Sequence, residues 1–240
     1  MKIKIQYIAS LAAACVAMSH SHAAVIAEYD FNTDLNASTA DANITAGAVT
    51  SGAGISGSGE SGRSSFSNSL FAQTGATSTA SISVGTAIAN DDYFSVTMGA
   101  DSGYYMDLDS ITLDYGYSNN SAPFGVKDLK AYVFSSFTGF VDASDILGSK
   151  FIQTTVDDNS LQYPGGSPSL TVDLSAYSYV WSGGEIEFRI YLADTTNNNA
   201  YIHRIDNVTL NGVVAAVPEP SSTALLGLGG LALMLRRKRS

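Results

Sequence analysis

Few side chains in this 240-residue chain have the type and spacing that catalysis requires. His203 is the only histidine after residue 23, so a histidine-rich metal site is excluded, and no G-x-S-x-G motif supports a Ser-His-Asp triad built on it. Glu185 and Glu187 could act as the two carboxylates of a glycosidase, but side chains two residues apart in a strand point the same way. This spacing favours a charged sheet face. The sequence therefore predicts that the protein is not an enzyme.

Two further sets of residues could bind a ligand. Glu28, Asp30 and Asp206 supply the hard oxygen ligands that calcium prefers, and they would meet if the first and last strands were neighbours in a sandwich. These residues are candidates for a structural calcium site, and no other cofactor is expected; the alternative is that Asp30 and Asp206 accept hydrogen bonds from turn amides. Trp181, the only tryptophan, is a candidate for stacking on a sugar ring, with core packing as the alternative.

The last 24 residues contain three segments in a fixed order. The first, Pro218-Glu219-Pro220, is predicted to be extended, because its prolines fix φ and lack amide donors. Residues 221–235 are uncharged and apolar, and a transmembrane helix is expected there, although its length of about 22 Å is short of the ~30 Å hydrocarbon core. The tail at 236–240 is basic, which favours the cytoplasmic side and places the proline segment outside. Its cations are Arg236, Arg237, Lys238 and Arg239.

The first 23 residues are typical of a secretory signal peptide, which implies the Sec export machinery as a partner. Two lysines precede an apolar stretch at residues 5–18, and cleavage is predicted between Ala23 and Ala24. An alternative is lipidation at Cys15, because the preceding residues faintly resemble a lipobox, with Ala12 where leucine is expected. If the signal peptide is removed, the mature chain has no cysteine, which excludes disulfides and thiolate metal sites.

Charge is distributed unevenly along the chain. Six of the 12 basic residues lie in the two end segments, as does one of the 22 acidic residues, which leaves a formal charge of −15 on residues 24–216. Such a surface repels nucleic acid and anionic lipid, so neither is an expected partner of this part of the chain.

Residues 24–216 form one domain in which apolar and polar residues alternate with period two, and no segment has a helical period. About eight short strands are expected, which predicts an all-β fold of two antiparallel sheets, a β-sandwich or jelly roll. In the closing strand, at 204–212, Ile205 is out of phase with Val208 and Leu210, which indicates a β-bulge. The alternating segments are residues 25–31, 81–88, 93–98, 109–117, 127–134, 169–174 and 185–192. The last of these is the clearest, and it predicts that Ile186, Phe188, Ile190 and Leu192 face inward and that Tyr191 faces outward.

The tail resembles the PEP-CTERM sorting signal of Gram-negative surface proteins, also known as the ice-binding protein C-terminal motif. The resemblance covers residues 217–240 and implies that Pro218, Glu219 and Pro220 are recognised by exosortase, a membrane-embedded transpeptidase. Residues 188–191 and 205–208 are loosely similar to the closing strands of PEP-CTERM proteins, whose bodies resemble jelly-roll carbohydrate-binding modules. The expected protein is therefore an exported cell-surface or extracellular-matrix protein. The alternatives are a surface carbohydrate-binding module that binds polysaccharide and a permanently membrane-anchored protein. Ice binding is not inferred, because regular Thr-x-Thr rows are absent from the sequence.

Overall fold

The computed structural model describes residues 24–56, 69–74, 81–119, 126–154, 164, 166–177, 180–182, 184–195 and 201–217. The predicted signal peptide at 1–23, the proline segment, the apolar stretch at 221–235 and the basic tail lie outside these residues. Within them, no helix is long and apolar enough to cross a membrane.

The described chain is dominated by strands arranged in two antiparallel sheets, which confirms the predicted all-β class and the sandwich. The strands are β1 (Ala24–Tyr29), β2 (Thr39–Ala40), β3 (Ile44–Ala46), β4 (Thr50–Ser51), β5 (Ile55–Ser56), β6 (Leu70–Thr74), β7 (Tyr93–Ala100), β8 (Tyr104–Asn119), β9 (Asp128–Ser135), β10 (Gly148–Gln153), β11 (Leu170–Asp173), β12 (Val180–Ser182), β13 (Glu185–Asp194) and β14 (Tyr201–Ala216). Helix α1 spans Val84–Asn90, and short 3₁₀ helices span Ala143–Asp145 and Ser175–Tyr177.

The order of strands places the longest pair at the centre of the first sheet. That sheet runs β11-β8-β14-β1-β2, with β12 also on β8, β6 also on β14, and β5 on β6. The second sheet runs β10-β9-β13-β7-β3, with β4 also on β7. Because β1 pairs with β14, the first and last strands are neighbours, as the calcium prediction assumed.

Apolar side chains from both sheets form one buried cluster between them. The inward alternation of Ile186, Phe188, Ile190 and Leu192 on β13 is confirmed, because all four are buried. The same holds for the predicted inward residues of β8, β9 and β11, which are Ile111, Leu113, Tyr115, Leu129, Ala131, Val133, Leu170 and Val172. Period-two patterning on the inner faces therefore predicted the core.

The bulge predicted in the closing strand is present. The register of β14 against β8 shifts between Asp206 and Thr209, and Asn207 adopts a positive φ of 49°. An extra residue at this point reverses the alternation, so Ile205 lies in the core together with Val208 and Leu210.

Two expectations about the second sheet were wrong. Residues 81–88 were expected to form a strand, but only Ser81 makes an isolated bridge, to Asp194, and α1 begins at Val84. Tyr191 was expected to face solvent, but it is buried in a second apolar cluster on the outer face of this sheet. Helix α1 packs on this outer face, which is why Tyr191 is buried there. The cluster contains Val84, Ala87 and Ile88 of α1 together with Tyr132, Phe134, Tyr191 and Ala193 of the sheet.

Candidate functional site

The single histidine of the described chain lies inside the sandwich. His203 of β14 is fully buried; its Nδ1 lies 2.8 Å from the Tyr115 hydroxyl and its Nε2 lies 3.0 Å from Asp194 Oδ2. Burial raises the pKa of Tyr115 well above its usual value, so the hydroxyl keeps its proton and donates to Nδ1. Nε2 then carries a proton, which it donates to Asp194 Oδ2. Tyr115 and His203 belong to the first sheet and Asp194 belongs to the second, so these buried hydrogen bonds link the two sheets.

A second buried polar group lies next to the histidine. The guanidinium of Arg204 donates from Nε to Ser118 Oγ at 2.9 Å and lies 5.2 Å from the centre of the Phe71 ring. Both β6 and β8 flank this part of β14, since Arg204 pairs with Phe71 on one side and with Gly116 on the other. The beginning of β14 is thus enclosed and held by polar bonds.

Two of the three carboxylates that were predicted to bind calcium accept hydrogen bonds from backbone amides. Asp206 faces Asp114 across the β14–β8 pair, and its pKa is raised to about 7 by burial and by the negative charges of Asp114 and Asp30. Its Oδ1 accepts the amide of Asn207 at 2.8 Å, and Asp30 Oδ1 accepts the amide of Asn32 at 3.1 Å.

These bonds match the alternative given for Asp30 and Asp206, which is hydrogen bonding to turn amides. Among the residues that the structure describes, no three His, Cys, Asp or Glu side chains form a group that could hold a metal ion. The calcium site predicted from Glu28, Asp30 and Asp206 therefore gains no support from the geometry.

The two strand glutamates do not form a facing catalytic pair. Glu187 is joined to Arg189 by bonds of 2.7 and 3.3 Å, and the Arg189 guanidinium stacks between Tyr93 and Phe140 at 4.4 and 4.0 Å from their ring centres. Glu187 is thereby committed to an ion pair on the outer face of the second sheet, whereas Glu185 is exposed where β13 begins. Trp181 lies in β12, where its backbone pairs with that of Met106 in β8. Stacking of Trp181 on a sugar stays a prediction.

An open depression of about 660 Å³ lies where β14 ends. Its walls come from the turn between β7 and β8, from the start of β13 and from the last described residue, Val217. Four of its lining residues are glycine or alanine, so backbone and small side chains shape it, while Tyr104 supplies a ring and Glu185 a carboxylate. The lining residues are Thr45, Gly99, Ala100, Ser102, Gly103, Tyr104, Gly184, Glu185 and Val217.

The end of β14 is fixed to that turn. Ala216 pairs with Tyr104, and the Val217 amide donates to the Gly103 carbonyl at 2.8 Å. Gly103 has a φ of +86°, a conformation that favours glycine, and Tyr104 donates its amide to Asp101 to close the turn at 3.0 Å. The hydrogen-bonded backbone of the body therefore includes Val217, which precedes Pro218 in the sequence.

No pattern in the sequence pointed to this depression, because the approach of Gly184 to Gly99 depends on pairing between β13 and β7. A Cβ on Gly99 would lie 2.8 Å from the Gly184 carbonyl oxygen, so the depression needs glycine at this distant position. Only the three-dimensional pairing brings these residues together.

Comparison with known proteins identifies the tail. Residues 216–239 match the family model described as the PEP-CTERM protein-sorting motif, so the chain carries this motif. No curated protein matches the chain. The match to the sorting motif confirms the resemblance predicted from the sequence. It includes Pro218, Glu219, Pro220 and the four basic residues.

Two solved structures show weak similarity to about four fifths of the chain. One is the carbohydrate-binding module TmCBM27, described in terms of specific mannan recognition, at 13% identity and a TM-score of 0.36, covering 80% of this chain and 99% of that one. The other is the Stig cyclase Fisc from Fischerella sp. TAU, at 11% identity and a TM-score of 0.29, covering 83% and 93%. At these TM-scores neither comparison carries an argument about function.

Proposed function

We propose that this protein is an exported cell-surface or extracellular-matrix protein of a Gram-negative-type bacterium, sorted by exosortase through its C-terminal tail. The match at residues 216–239 carries the proposal. The sequence supports it from the other end, because a signal peptide at 1–23 would bring the body across the membrane before the tail is reached. In this scheme the apolar stretch at 221–235 holds the chain in the membrane until the enzyme acts.

The body acts in this proposal as a non-catalytic β-sandwich. The buried position of His203 supports this role, as does the commitment of Glu187 to Arg189. The high negative charge of the body suits a soluble domain outside the cell.

The proposal is tested by producing the full-length protein in a host with exosortase and in the same host without it. We expect the tail to be lost only when exosortase is present, and the double substitution P218A/P220A to abolish this loss, because alanine restores the φ freedom and the amides that proline removes. Immunoblotting of cell fractions with antibodies against the body and against the last residues measures both. Loss of the tail at equal rates in both hosts would refute the proposal.

A permanent membrane anchor is the nearest alternative, since the same apolar and basic segments would also hold an unprocessed protein. The presence of Ser240 on the mature protein distinguishes the two functions, because only a permanent anchor retains it. P218A/P220A would leave an anchored protein in the same place and an exosortase substrate in a different one.

Carbohydrate binding is the second candidate function, and the depression beside Val217 favours it. A tyrosine ring, a carboxylate and hydroxyl groups in one open hollow are the groups that recognise sugars, and here they come from Tyr104, Glu185, Ser102 and Thr45. A glycan array probed with the exported protein tests this function. We expect Y104A to remove any signal and Y105A, the next residue on the same strand, to keep it; an empty array would exclude the candidate.

A further inference from the structure

Four tripeptides in the body have the sequence Asn-x-Ser or Asn-x-Thr, with a residue other than proline in the middle. In exported proteins this tripeptide is the acceptor for N-linked glycans, which are attached to the asparagine side chain at the protein surface. The four tripeptides begin at Asn36, Asn43, Asn119 and Asn207. Three of them lie wholly within the described chain; the one that begins at Asn119 does not.

Transfer of a glycan requires an asparagine Nδ2 that is accessible and can rotate. An amide nitrogen is a poor nucleophile, because its lone pair is delocalised into the carbonyl, so an enzyme must bind the amide and twist it. An Nδ2 that is already hydrogen-bonded inside the fold must first give up that bond. The three described asparagines can therefore be compared by their exposure and by the bonds of their side chains.

Asn36 meets both requirements. It lies in the connection between β1 and β2, and both Asn36 and Ser38 are exposed. Its backbone amide donates to Asp34 Oδ1 at 2.8 Å, which forms an Asx turn, and no described residue is hydrogen-bonded to its side-chain amide. The Ser38 hydroxyl donates to the Glu28 carbonyl at 3.1 Å and keeps its acceptor lone pairs. The side chain of Asn36 is thus presented to solvent on an anchored turn.

Asn43 repeats this local pattern in a more enclosed place. Its backbone amide donates to Asp41 Oδ1 at 2.9 Å, so an aspartate two positions earlier forms the same turn at both sites. Asn43 is half-buried, however, and its Nδ2 lies 3.4 Å from Asp41 Oδ1. Asp101 holds the tripeptide further, because its amide donates to the Asn43 carbonyl at 2.9 Å and its carboxylate accepts the Thr45 hydroxyl at 3.0 Å. Asn43 is therefore a matched control within the same chain.

Asn207 is exposed, but its side chain is already bonded. Its Nδ2 donates to Asp114 Oδ2 at 3.0 Å, and its own carbonyl accepts the Thr209 hydroxyl at 3.3 Å. Glycan transfer at Asn207 would break the bond to Asp114 at the bulge of β14. Among the three described tripeptides, exposure and an unbonded side-chain amide therefore coincide at Asn36.

We propose that Asn36 carries an N-linked glycan, which a membrane-embedded oligosaccharyltransferase attaches outside the cytoplasm. The donor is an oligosaccharide linked to a polyprenyl diphosphate. Asn36 Nδ2 forms a bond to the anomeric carbon of the sugar, the bond from that carbon to the diphosphate oxygen breaks, and the lipid diphosphate leaves with its electron pair. Nδ2 gives one proton to a base of the enzyme. This inference rests on the export step of the proposed function and needs no action of exosortase.

The position of Asn36 gives the glycan a protective role. Strand β2 ends the first sheet on that side, both of its residues are exposed, and within the described chain it pairs with β1. Three residue steps separate Asn36 from Thr39, where β2 begins, a distance of at most about 11 Å. An open sheet edge can pair with a strand of another molecule, and a bulky hydrated glycan beside the edge blocks that approach.

Peptide mass spectrometry tests the proposal on the full-length protein, purified from whole cells of the bacterium that produces it. A protease that cleaves before aspartate separates the two matched sites, because Asn36 falls in the peptide 34–40 and Asn43 in the peptide that begins at Asp41. We expect peptide 34–40 to carry added mass and to release sugar oxonium ions on fragmentation. We expect the peptide with Asn43 to keep its unmodified mass.

Substitutions within the tripeptide show what the added mass depends on. We expect N36Q and S38A each to lower the modified fraction by about tenfold or more, because the tripeptide requires both asparagine and the hydroxyl two positions later. S38T restores the hydroxyl and should keep the modification, and the control N43Q should leave it unchanged. Added mass that persists in S38A would identify a different modification and overturn the proposal.

The first residue of the purified protein separates this proposal from the proposed function. A chain that begins at Ala24 and has an unmodified peptide 34–40 would overturn the glycan and leave export standing. Equal modification of Asn36 and Asn43 would overturn the selection of Asn36 by its exposure. A chain that keeps residues 1–23 would overturn both proposals, because neither sorting nor glycan transfer occurs without export.

Discussion

The two ends of β14 belong to one continuous strand but lie in contrasting surroundings. At its start, His203, Arg204 and Ile205 are buried, with β6 on one side, β8 on the other and the second sheet above. At its end, residues 213–217 are half-buried or exposed, and within the described chain β8 is their paired neighbour. Burial along a strand is therefore set by how many neighbours flank each part of it. The enclosed start links the two sheets, and the open end lies where the sorting motif begins in the sequence.

The largest effect is expected from removing the polar link at the enclosed start. H203A leaves the Asp194 carboxylate and the Tyr115 hydroxyl buried without the ring between them, so we expect the free energy of unfolding to fall by about 3 kcal/mol. Urea unfolding of the exported protein measures it. The control Y115F keeps the imidazole ring of His203 and removes only its hydrogen bond to the Tyr115 hydroxyl. We expect it to lower the free energy of unfolding by roughly 1.5 kcal/mol. A loss below that of Y115F would show that the link does not stabilise the fold.

An intermediate effect is expected at the bulge between the two ends, where Asp206 is partly solvated. Because its pKa is raised to about 7 in the folded protein, the folded state binds more protons than the unfolded chain from about pH 4 to pH 7. Its contribution to stability is therefore lost as pH rises through this window. We expect D206N to match wild type near pH 4 and to be more stable above pH 7.

Urea unfolding at a series of pH values measures this difference. Burial also raises the pKa of Asp92, to about 6, so titration of Asp92 lowers stability over the same pH range. This effect is present both in wild type and in D206N, so it does not contribute to the difference between them. If the gap between D206N and wild type were constant across the pH range, titration of Asp206 would not be its cause.

The smallest effect is expected at the open end. Val214 packs only partly against the core, so V214A should cost about 1 kcal/mol or less in unfolding free energy. In hydrogen exchange, the amides of residues 213–217 should exchange before those of residues 203–205, since a strand end with fewer neighbours opens at lower cost. Equal protection at both ends would remove the contrast.

How much of this could be predicted from the sequence depends on which side of a strand is considered. Inward faces follow period two, and even the β14 bulge was predicted, because Ile205 was out of phase with Val208 and Leu210. The outer face of the second sheet was not predicted. Its cover, α1, is only seven residues long, and the spacing of Val84, Ala87 and Ile88 that marks its apolar side is too short to stand out from alternation.

The functional parts divide in the same way. The sorting motif is local in sequence, so three consecutive segments sufficed to predict it, and the family match confirms it. The depression is lined by residues from 45 to 217 that meet only through pairing of β3, β7, β8, β13 and β14. The partners of His203 were likewise beyond reach, because Tyr115 is 88 residues away and Asp194 lies on the other sheet.

The central claim is that the open end of β14 delivers the tail to a processing enzyme. The mass of the protein's C-terminus, measured on material recovered from the surface of exosortase-producing cells, tests it most directly. The account predicts a chain that begins at Ala24, retains β14 and lacks the basic residues up to Ser240. A surface-bound protein that still ends at Ser240 would contradict it and would identify the tail as a permanent anchor.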